Sequence, residues 1–179
     1  MKDELLARRC QALKLVLSDV DGVMTDGTIL LFADGEEAKA FHVRDGYGIA
    51  LAHAAGLKTG VVSGRRSPSV ERRAAELKMA VVRLGVSDKR AAIIEIRAEL
   101  GLGPEEIAYI GDDLNDLPAF AEVGLTATPA DAPFEVKNQA FMVTEARGGQ
   151  GCVREFLEAI LRARGDWEKV LLGRGITLG

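Results

Sequence analysis

The sequence predicts an α/β fold, a doubly wound, Rossmann-like parallel sheet with helices on both faces. Short apolar runs at Leu13–Leu17, Thr59–Val62 and Ile107–Ile110 have the length and composition of strands buried on both sides. Helix-forming segments separate these runs, and strands that alternate with helices favour a parallel sheet. Polar residues directly follow several of the predicted strands, at the edge where such sheets bind their ligands.

A β-hairpin is predicted as an insertion after the first strand, at about residues 28–43. Two candidate strands, 28–33 and 36–43, flank Asp34-Gly35, a dipeptide typical of two-residue hairpin turns. The preceding Asp26-Gly27 predicts the turn that leads into the insertion.

The rest of the chain alternates between helices and strands. Ser87 is a favourable N-cap for an amphipathic helix that Gly101 ends. The last helix is predicted at Cys152–Arg164, and the tail from Gly165 looks loose. The other predicted elements are, in order, helix 47–55, strand 59–62, helix 68–78, strand 79–84, helix 87–100, strand 107–110, helix 115–122 and strands 124–128 and 141–144.

Length and composition indicate one domain over residues 1–179, with enough apolar residues for a core. The net charge of −4 gives no basic excess of the kind that favours nucleic acid or anionic membranes as partners. No segment approaches the length of a membrane span, and the N-terminus does not have the pattern of a secretory signal. We therefore expect a cytoplasmic protein in which Cys10 and Cys152 are reduced packing residues.

Two aspartates follow the first strand and suggest a metal site. Asp19 and Asp21 are two residues apart, so on an extended strand they point the same way and would raise each other's pKa. Mg²⁺, which prefers hard oxygen ligands, would remove that conflict. A third acid is available from Asp112, Asp113 or Asp116, which follow the strand at 107–110. Taken alone, the Asp-x-Asp-Gly pattern fits an ordinary turn equally well.

Two further segments could hold an anion. Ser63 and Gly64 follow the strand at 59–62, where a hydroxyl and an exposed backbone N–H can bind a phosphate, although Ser63 also fits a helix N-cap. Lys89 lies near a helix start, where a lysine is usually a solvated surface charge. It becomes a candidate because the acids and the anion site need a fixed cation nearby.

Together, the segments DVDGVMTDG, VVSGR, SDK and GDDLND resemble, in order, the four motifs of the haloacid dehalogenase superfamily of phosphohydrolases. The resemblance implies that Asp19 is the nucleophile and that Asp21 is the general acid and base. It implies phosphate binding by Gly22, Ser63, Gly64 and Lys89. It also implies Mg²⁺ as the cofactor, held by Asp19, by the backbone carbonyl of Asp21 and by Asp112, with Asp113 and Asp116 in support.

The chain has no room for the cap domain that most members of the superfamily carry. The stretch between Asp21 and Ser63 holds only the hairpin and one helix. The stretch between Lys89 and Asp112 holds only one helix. The hairpin segment and the segment RGGQGCVREFLEAIL are similar to a capless subfamily that acts on 3-deoxy-D-manno-octulosonate 8-phosphate in lipopolysaccharide synthesis. This resemblance implies a homotetramer in which a neighbouring subunit completes each site.

The substrate of that subfamily is an acidic sugar phosphate. By position, Arg65 and Arg73 match arginines that would meet the sugar acid, and Arg44 and Asp45 belong to a segment that would face the site. Residues 147–149 lie in a segment that could reach a neighbour.

Other functions stay open at this point. Close relatives use nine-carbon substrates, either 2-keto-3-deoxy-nononate 9-phosphate or N-acylneuraminate 9-phosphate. A catalytically silent tetrameric scaffold is a second reading, which the complete set of acids disfavours. Phosphotransfer to an acceptor other than water is a third, which the missing cap disfavours.

Overall fold

The computed structural model describes residues 2–177 and confirms the doubly wound α/β fold. The strands are β1 (Leu15–Ser18), β2 (Leu30–Leu31), β3 (Glu37–Ala38), β4 (Lys58–Ser63), β5 (Val81–Leu84), β6 (Ile107–Ile110), β7 (Leu125–Thr128) and β8 (Met142–Val143). The α-helices are α1 (Lys2–Ala12), α2 (Val43–Ala54), α3 (Pro68–Glu76), α4 (Lys89–Leu100), α5 (Leu117–Phe120), α6 (Phe134–Gln139), α7 (Cys152–Arg164) and α8 (Trp167–Leu172). Short 3₁₀ turns lie at Pro104–Glu106 and Leu114–Asp116.

The main sheet has six parallel strands in the order β5-β4-β1-β6-β7-β8. From β1 the chain builds outward through β4 to β5 and then returns to the other side of β1 with β6. The strand order therefore reverses between β1 and β6, which places a ligand site at the carboxyl ends of these two strands. Among residues 2–177 no cap covers this edge, because only the hairpin and α2 separate β1 from β4, and only α4 and a 3₁₀ turn separate β5 from β6.

The core has two layers, one on each face of the sheet, as strands buried on both sides require. Alternate residues of β1 point to opposite faces: Val16 packs in one cluster and Leu15 and Leu17 in the other. Helices α1, α2, α7 and α8 contribute to the first cluster, and α4, α5 and α6 to the second. The sheet is thereby fixed from both sides beneath its ligand-binding edge.

The inserted hairpin is present, but it is shorter than predicted and its turn differs. Its strands pair only at Leu30 with Ala38 and Leu31 with Glu37. The loop has three residues instead of two, because the Phe32 N–H donates to the Glu36 carbonyl and the Gly35 N–H to the Phe32 carbonyl. Gly35 has φ +87°, which is the left-handed residue of a type I turn closed by a bulge.

The N-cap of α4 is Asp88 and not Ser87. The Asp88 side chain accepts a hydrogen bond of 3.0 Å from the Ala91 N–H, which is the usual bond of an N-cap carboxylate. Gly101 ends the helix with φ +62°, as predicted. Cys10 and Cys152 are buried and unbridged, in agreement with their prediction as packing residues.

The prediction of a loose tail from Gly165 is wrong over residues 167–172, which form α8. Trp167, Val170 and Leu171 are buried in the first core cluster, so this helix docks through its apolar side chains. Residues 178 and 179 of the predicted tail lie outside the described residues. Within residues 2–177, no helix has the length and apolarity required to cross a membrane.

Replacing Trp167 with Ala should lower the free energy of unfolding by about 3 kcal/mol, because it empties a buried indole site. Urea unfolding followed by circular dichroism measures this loss. Leu172→Ala is the matched control on the same helix, since Leu172 is 60% exposed, and it should cost less than about 0.5 kcal/mol. Equal effects of the two substitutions would contradict the docking of α8.

Candidate active site

The loops that follow β1 and β6 form the floor of the candidate site. The Asp19 N–H donates to the Ile110 carbonyl at 2.9 Å, so the first residue after β1 is joined to the last residue of β6. Asp19 is only 6% exposed, and one of its oxygens accepts a 2.6 Å hydrogen bond from the Val20 N–H. The nucleophile predicted from the sequence thus lies at the switch point of the sheet.

A buried lysine connects three segments at this point. The Lys89 ammonium donates to Asp19 Oδ2 at 2.7 Å and to Asp116 Oδ1 at 2.6 Å, and its side chain is only 3% exposed. Burial alone would lower the pKa of Lys89, but Asp19 and Asp116 raise it overall and keep the amine charged. The structure therefore assigns Lys89 to the site and excludes the solvated surface alternative.

Asp116 is fully buried and receives hydrogen bonds on both of its oxygens. Besides Lys89, the hydroxyl of Tyr109 donates to Oδ1 at 2.6 Å. The N–H groups of Asp112 and Asp113 donate to Oδ2 at 3.0 and 3.2 Å. Asp116 therefore fixes the backbone of the loop after β6, which agrees with a supporting role and leaves it little capacity to ligate a metal.

The carboxylates of Asp19, Asp112 and Asp116 can place ligand atoms within 4.8 Å of one another. Burial, with added repulsion from Asp19 and Asp116, raises the pKa of Asp112 to about 8, and burial and Asp116 raise the pKa of Asp19 to about 6. Within residues 2–177, the Asp112 carboxylate accepts no hydrogen bond, so its lone pairs are available. Asp19 and Asp112 fit Mg²⁺, which binds carboxylate oxygens and would offset their repulsion, whereas both oxygens of Asp116 are already hydrogen-bonded.

Asp113 and Gly22, which lie next to these acids in the sequence, have structural roles. Asp113 is exposed and its carboxylate caps the following 3₁₀ turn by accepting from the Leu114 N–H at 2.7 Å. Gly22 adopts φ +87°, and a Cβ at this position would lie 2.0 Å from Asp112 Oδ2. Glycine is therefore required here by both the backbone conformation and the space that Asp112 occupies.

Asp21 lies beside a group of charges that reach over from the hairpin. Its carboxylate is bonded to the ammonium of Lys39, and the Arg65 guanidinium lies 3.7 Å from its other oxygen. Glu37 in turn binds both cations. Neither Lys39 nor Glu37 was predicted as a site residue, although two charged residues two apart on a predicted strand share one face.

The loop after β4 presents the predicted anion site at the same sheet edge. The Ser63 side chain is buried and its hydroxyl accepts a 3.3 Å hydrogen bond from the Arg65 N–H. Gly64 is exposed, and an added Cβ would lie 3.5 Å from its nearest neighbour, the Val86 carbonyl oxygen. The Gly64 backbone is thus accessible to an anion.

The other predicted substrate residues are placed apart from the acids. Asp45 is buried and accepts a 2.7 Å hydrogen bond from the Arg154 N–H, so it caps the first turn of α7. Arg73 packs over the Phe41 ring at 5.9 Å and against Gly46. Arg44 is exposed at a surface groove beside α7. Arg65 is thus the one predicted substrate-binding residue, of Arg65, Arg73, Arg44 and Asp45, that contacts a predicted catalytic acid, Asp21.

The segment at 147–149 packs on the loop after β1 of its own chain. The Gly149 N–H donates to the Val23 carbonyl at 2.9 Å, and a Cβ on Gly148 would lie 2.0 Å from the Gly22 carbonyl oxygen. Arg147 is exposed and pairs with Asp131 at 3.3 Å. This segment therefore buttresses the Gly22 turn from behind.

Comparisons with known proteins identify the family of the chain. Residues 36–124 match the family described as haloacid dehalogenase-like hydrolase. The chain is 43% identical over 160 residues to 3-deoxy-D-manno-octulosonate 8-phosphate phosphatase of Haemophilus influenzae, covering 89% of each chain. The crystal structure of the enzyme of that name from Yersinia pestis has a TM-score of 0.89 at 43% identity, covering 92% of this chain and 89% of that chain.

A third relative was solved with ligands. The 3-deoxy-D-manno-octulosonate 8-phosphate phosphatase of Moraxella catarrhalis, in complex with a magnesium ion, a phosphate ion and a KDO molecule, has a TM-score of 0.91 at 34% identity. The alignment covers 94% of this chain and 97% of that chain.

Without metal, ionised Asp112 should destabilise the fold at alkaline pH. Its pKa is higher in the folded than in the unfolded chain, so its penalty appears as pH rises above about 4 and is complete above about 8. In EDTA at pH 8.5, Asp112→Asn should therefore unfold at a Tm higher than wild type by at least about 2–4 °C. Excess Mg²⁺ should raise the Tm of wild type and have a smaller effect on the variant. A variant that is equally or less stable in EDTA would contradict this electrostatic account.

Proposed function

Because the chain belongs to the haloacid dehalogenase-like hydrolases, we propose that it is a Mg²⁺-dependent phosphatase that hydrolyses 3-deoxy-D-manno-octulosonate 8-phosphate to the free sugar acid and phosphate. The observation that carries the proposal is the buried contact of Lys89 with Asp19 and Asp116 beside Asp112 at the switch point of the sheet. This contact fixes a nucleophilic carboxylate next to a permanent cation. Such an arrangement suits attack on a phosphate dianion.

In the first step, a carboxylate oxygen of Asp19 attacks phosphorus and an aspartyl-phosphate forms. The bond from phosphorus to the sugar oxygen breaks, and that oxygen leaves with the electron pair and takes a proton from Asp21. Asp19 is suited to this role because a carboxylate needs no base to become a nucleophile. Lys89, the Ser63 hydroxyl and the Gly64 N–H stabilise the phosphoryl oxygens.

In the second step, Asp21 acts as the base. It takes a proton from a water molecule, whose oxygen attacks phosphorus while the bond to Asp19 breaks. The products are inorganic phosphate and the regenerated carboxylate of Asp19. Mg²⁺, held by Asp19, Asp112 and the Asp21 carbonyl, would neutralise charge on the phosphoryl oxygens and on the clustered acids.

The choice of substrate rests on the relatives and on Arg65. Relatives that carry the name of this phosphatase match about nine-tenths of the chain, and the Moraxella enzyme was solved with KDO. Arg65 lies beside Asp21 and is 46% exposed, so it can reach a carboxylate on the substrate. Arg73, Arg44 and Asp45 stay in the proposal as more distant contributors that would need a neighbouring subunit or a rearrangement.

The hairpin supports the further proposal of a homotetramer. Ile29, Leu30, Leu31 and Phe32 are between 43% and 71% exposed, and four adjacent exposed apolar residues are typical of an interaction surface. The residues 1–179 would form one capless domain in the cytoplasm, and a neighbouring subunit would cover each open site. Other known substrates of such phosphatases, the nine-carbon sugar acid 9-phosphates, are the alternative.

Asp19→Asn should abolish phosphate release from 3-deoxy-D-manno-octulosonate 8-phosphate, with a fall in kcat of at least about 10⁴-fold, because an amide cannot form the aspartyl-phosphate. A colorimetric phosphate assay with Mg²⁺ measures this. Asp3→Asn is the matched control and should keep the activity, since Asp3 is exposed in the first turn of α1 and is not a candidate site residue. Turnover by Asp19→Asn at the wild-type rate would rule out the mechanism, and a higher kcat/KM on a nine-carbon 9-phosphate would replace the substrate.

Leu31→Asp should break the assembly, because it places a charge in the proposed apolar interface. Light scattering after size-exclusion chromatography should show a tetramer for wild type and smaller species for the variant, with unchanged circular dichroism. Leu172→Asp is the control, since Leu172 is 60% exposed on α8. A monomeric wild-type protein would contradict the proposed assembly.

A further inference from the structure

Lys39 of the inserted hairpin buries the charged end of its side chain against Asp21. It follows β3 directly, and its side chain is only 1% exposed although its backbone belongs to a surface hairpin. Its ammonium bonds Asp21 Oδ1 and lies 3.0 Å from Glu37 Oε1. A lysine pays several kcal/mol to leave water, so burial of this kind indicates a charge that the site requires.

The charges around Lys39 form a closed group of two acids and two cations. Glu37 binds Lys39 with one oxygen and Arg65 with the other, and Arg65 approaches the second oxygen of Asp21 at 3.7 Å. The contacts to Lys39 and Arg65 lower the pKa of Glu37, which keeps this bridge ionised. Asp21 Oδ1 is therefore fixed by Lys39 from the hairpin, whereas Arg65, from the loop after β4, lies outside hydrogen-bond distance of Oδ2.

This arrangement restricts the orientation of Asp21. An aspartate side chain at a strand end has several rotamers, and proton transfer requires its oxygen to lie within hydrogen-bond reach of the leaving group. The hairpin strand supplies the only ammonium that contacts Asp21 among residues 2–177. The hairpin thus contacts Asp21 through the ammonium of one side chain, and this contact lies within one chain, so it does not depend on assembly.

We infer that Lys39 is a positioning residue for the general acid and base: it holds the Asp21 carboxylate in the orientation from which it protonates the leaving group. Glu37 holds Lys39 in place from the same strand. This inference rests on the proposed function in one respect, namely that Asp21 is the acid of a phosphatase. It does not depend on which sugar phosphate is the substrate.

Two aryl esters test this role, since they differ in their need for an acid. Phenyl phosphate releases a basic phenolate that benefits from protonation, whereas p-nitrophenyl phosphate releases a stable anion. Lys39→Met should lower kcat/KM for phenyl phosphate about 10²-fold, because the acid is misplaced, and lower it less than about threefold for p-nitrophenyl phosphate. Lys39→Arg, which keeps the charge, should recover much of the lost activity.

A matched control and a double variant separate positioning from a general loss of structure. Lys14 also pairs with a glutamate, Glu106, but at the surface, so Lys14→Met should leave both esters unaffected. Adding Lys39→Met to Asp21→Asn should change kcat/KM less than about twofold for either ester, because Lys39 acts through Asp21. Equal losses on both esters for folded Lys39→Met, or additive losses in the double variant, would overturn the inference.

If Lys39→Met does not fold, Glu37→Gln provides the same test. This substitution removes one charge that holds Lys39, so it should lower kcat/KM for phenyl phosphate selectively, by about 10-fold. An equal fall in kcat/KM for both esters would contradict the inference. The two proposals fail in different ways. If the wild-type protein cleaves phenyl phosphate but not 3-deoxy-D-manno-octulosonate 8-phosphate, the proposed substrate is wrong. The comparison of the two aryl esters then still tests the role of Lys39. Wild type that cleaves no ester with Mg²⁺ disproves both.

Discussion

The buried ammonium of Lys89 is the constraint on which the rest of the site depends. It is donated by the first residue of α4 and bonds to a carboxylate after β1 and to one after β6. Removing it would leave two carboxylates close together in a place with little water, at a cost of several kcal/mol. Helix α4, the two central strands and Asp19 therefore have to be assembled together, which makes the geometry of the candidate site a property of the whole fold.

The acids around this lysine have separate tasks because their donors differ. Asp116 is satisfied by a hydroxyl, an ammonium and two backbone N–H groups, so it acts as scaffold. Asp112 is held by its backbone and keeps its carboxylate open, and its raised pKa reflects a charge without a partner. A cation at that point would convert the strain among the acids into binding affinity. Asp112 and Asp116 are only four residues apart in the sequence, but their different hydrogen bonds suit them to different roles.

The hairpin contributes charged side chains to the candidate site. Its apolar tip is exposed while its return strand sends Glu37 and Lys39 toward Asp21 and Arg65. One short insertion would thus serve both proposed roles, assembly through its apolar tip and orientation of Asp21 through Lys39. A separate cap domain is not needed to bring these charges to the sheet edge, since the hairpin leaves β1 next to the acids that it contacts.

Helices α1, α6 and α8 were not among the elements predicted. The sequence did predict the order of the strands and of the other five helices, and the candidate motif residues, because apolar periodicity and the strand-end positions of Asp19, Ser63 and Asp112 are local signals. It also indicated Lys89 once the acids required a cation. The three-residue hairpin loop, the docking of α8 and the burial of Lys39 are evident only in the folded chain. The docking of α8 and the burial of Lys39 depend on partners from other parts of the chain. The hairpin loop, like the choice of Asp88 over Ser87 as N-cap, depends on a competition between nearly equal local alternatives. Local pattern carries no information on which surface a side chain will meet, so those contacts were settled when the elements packed together.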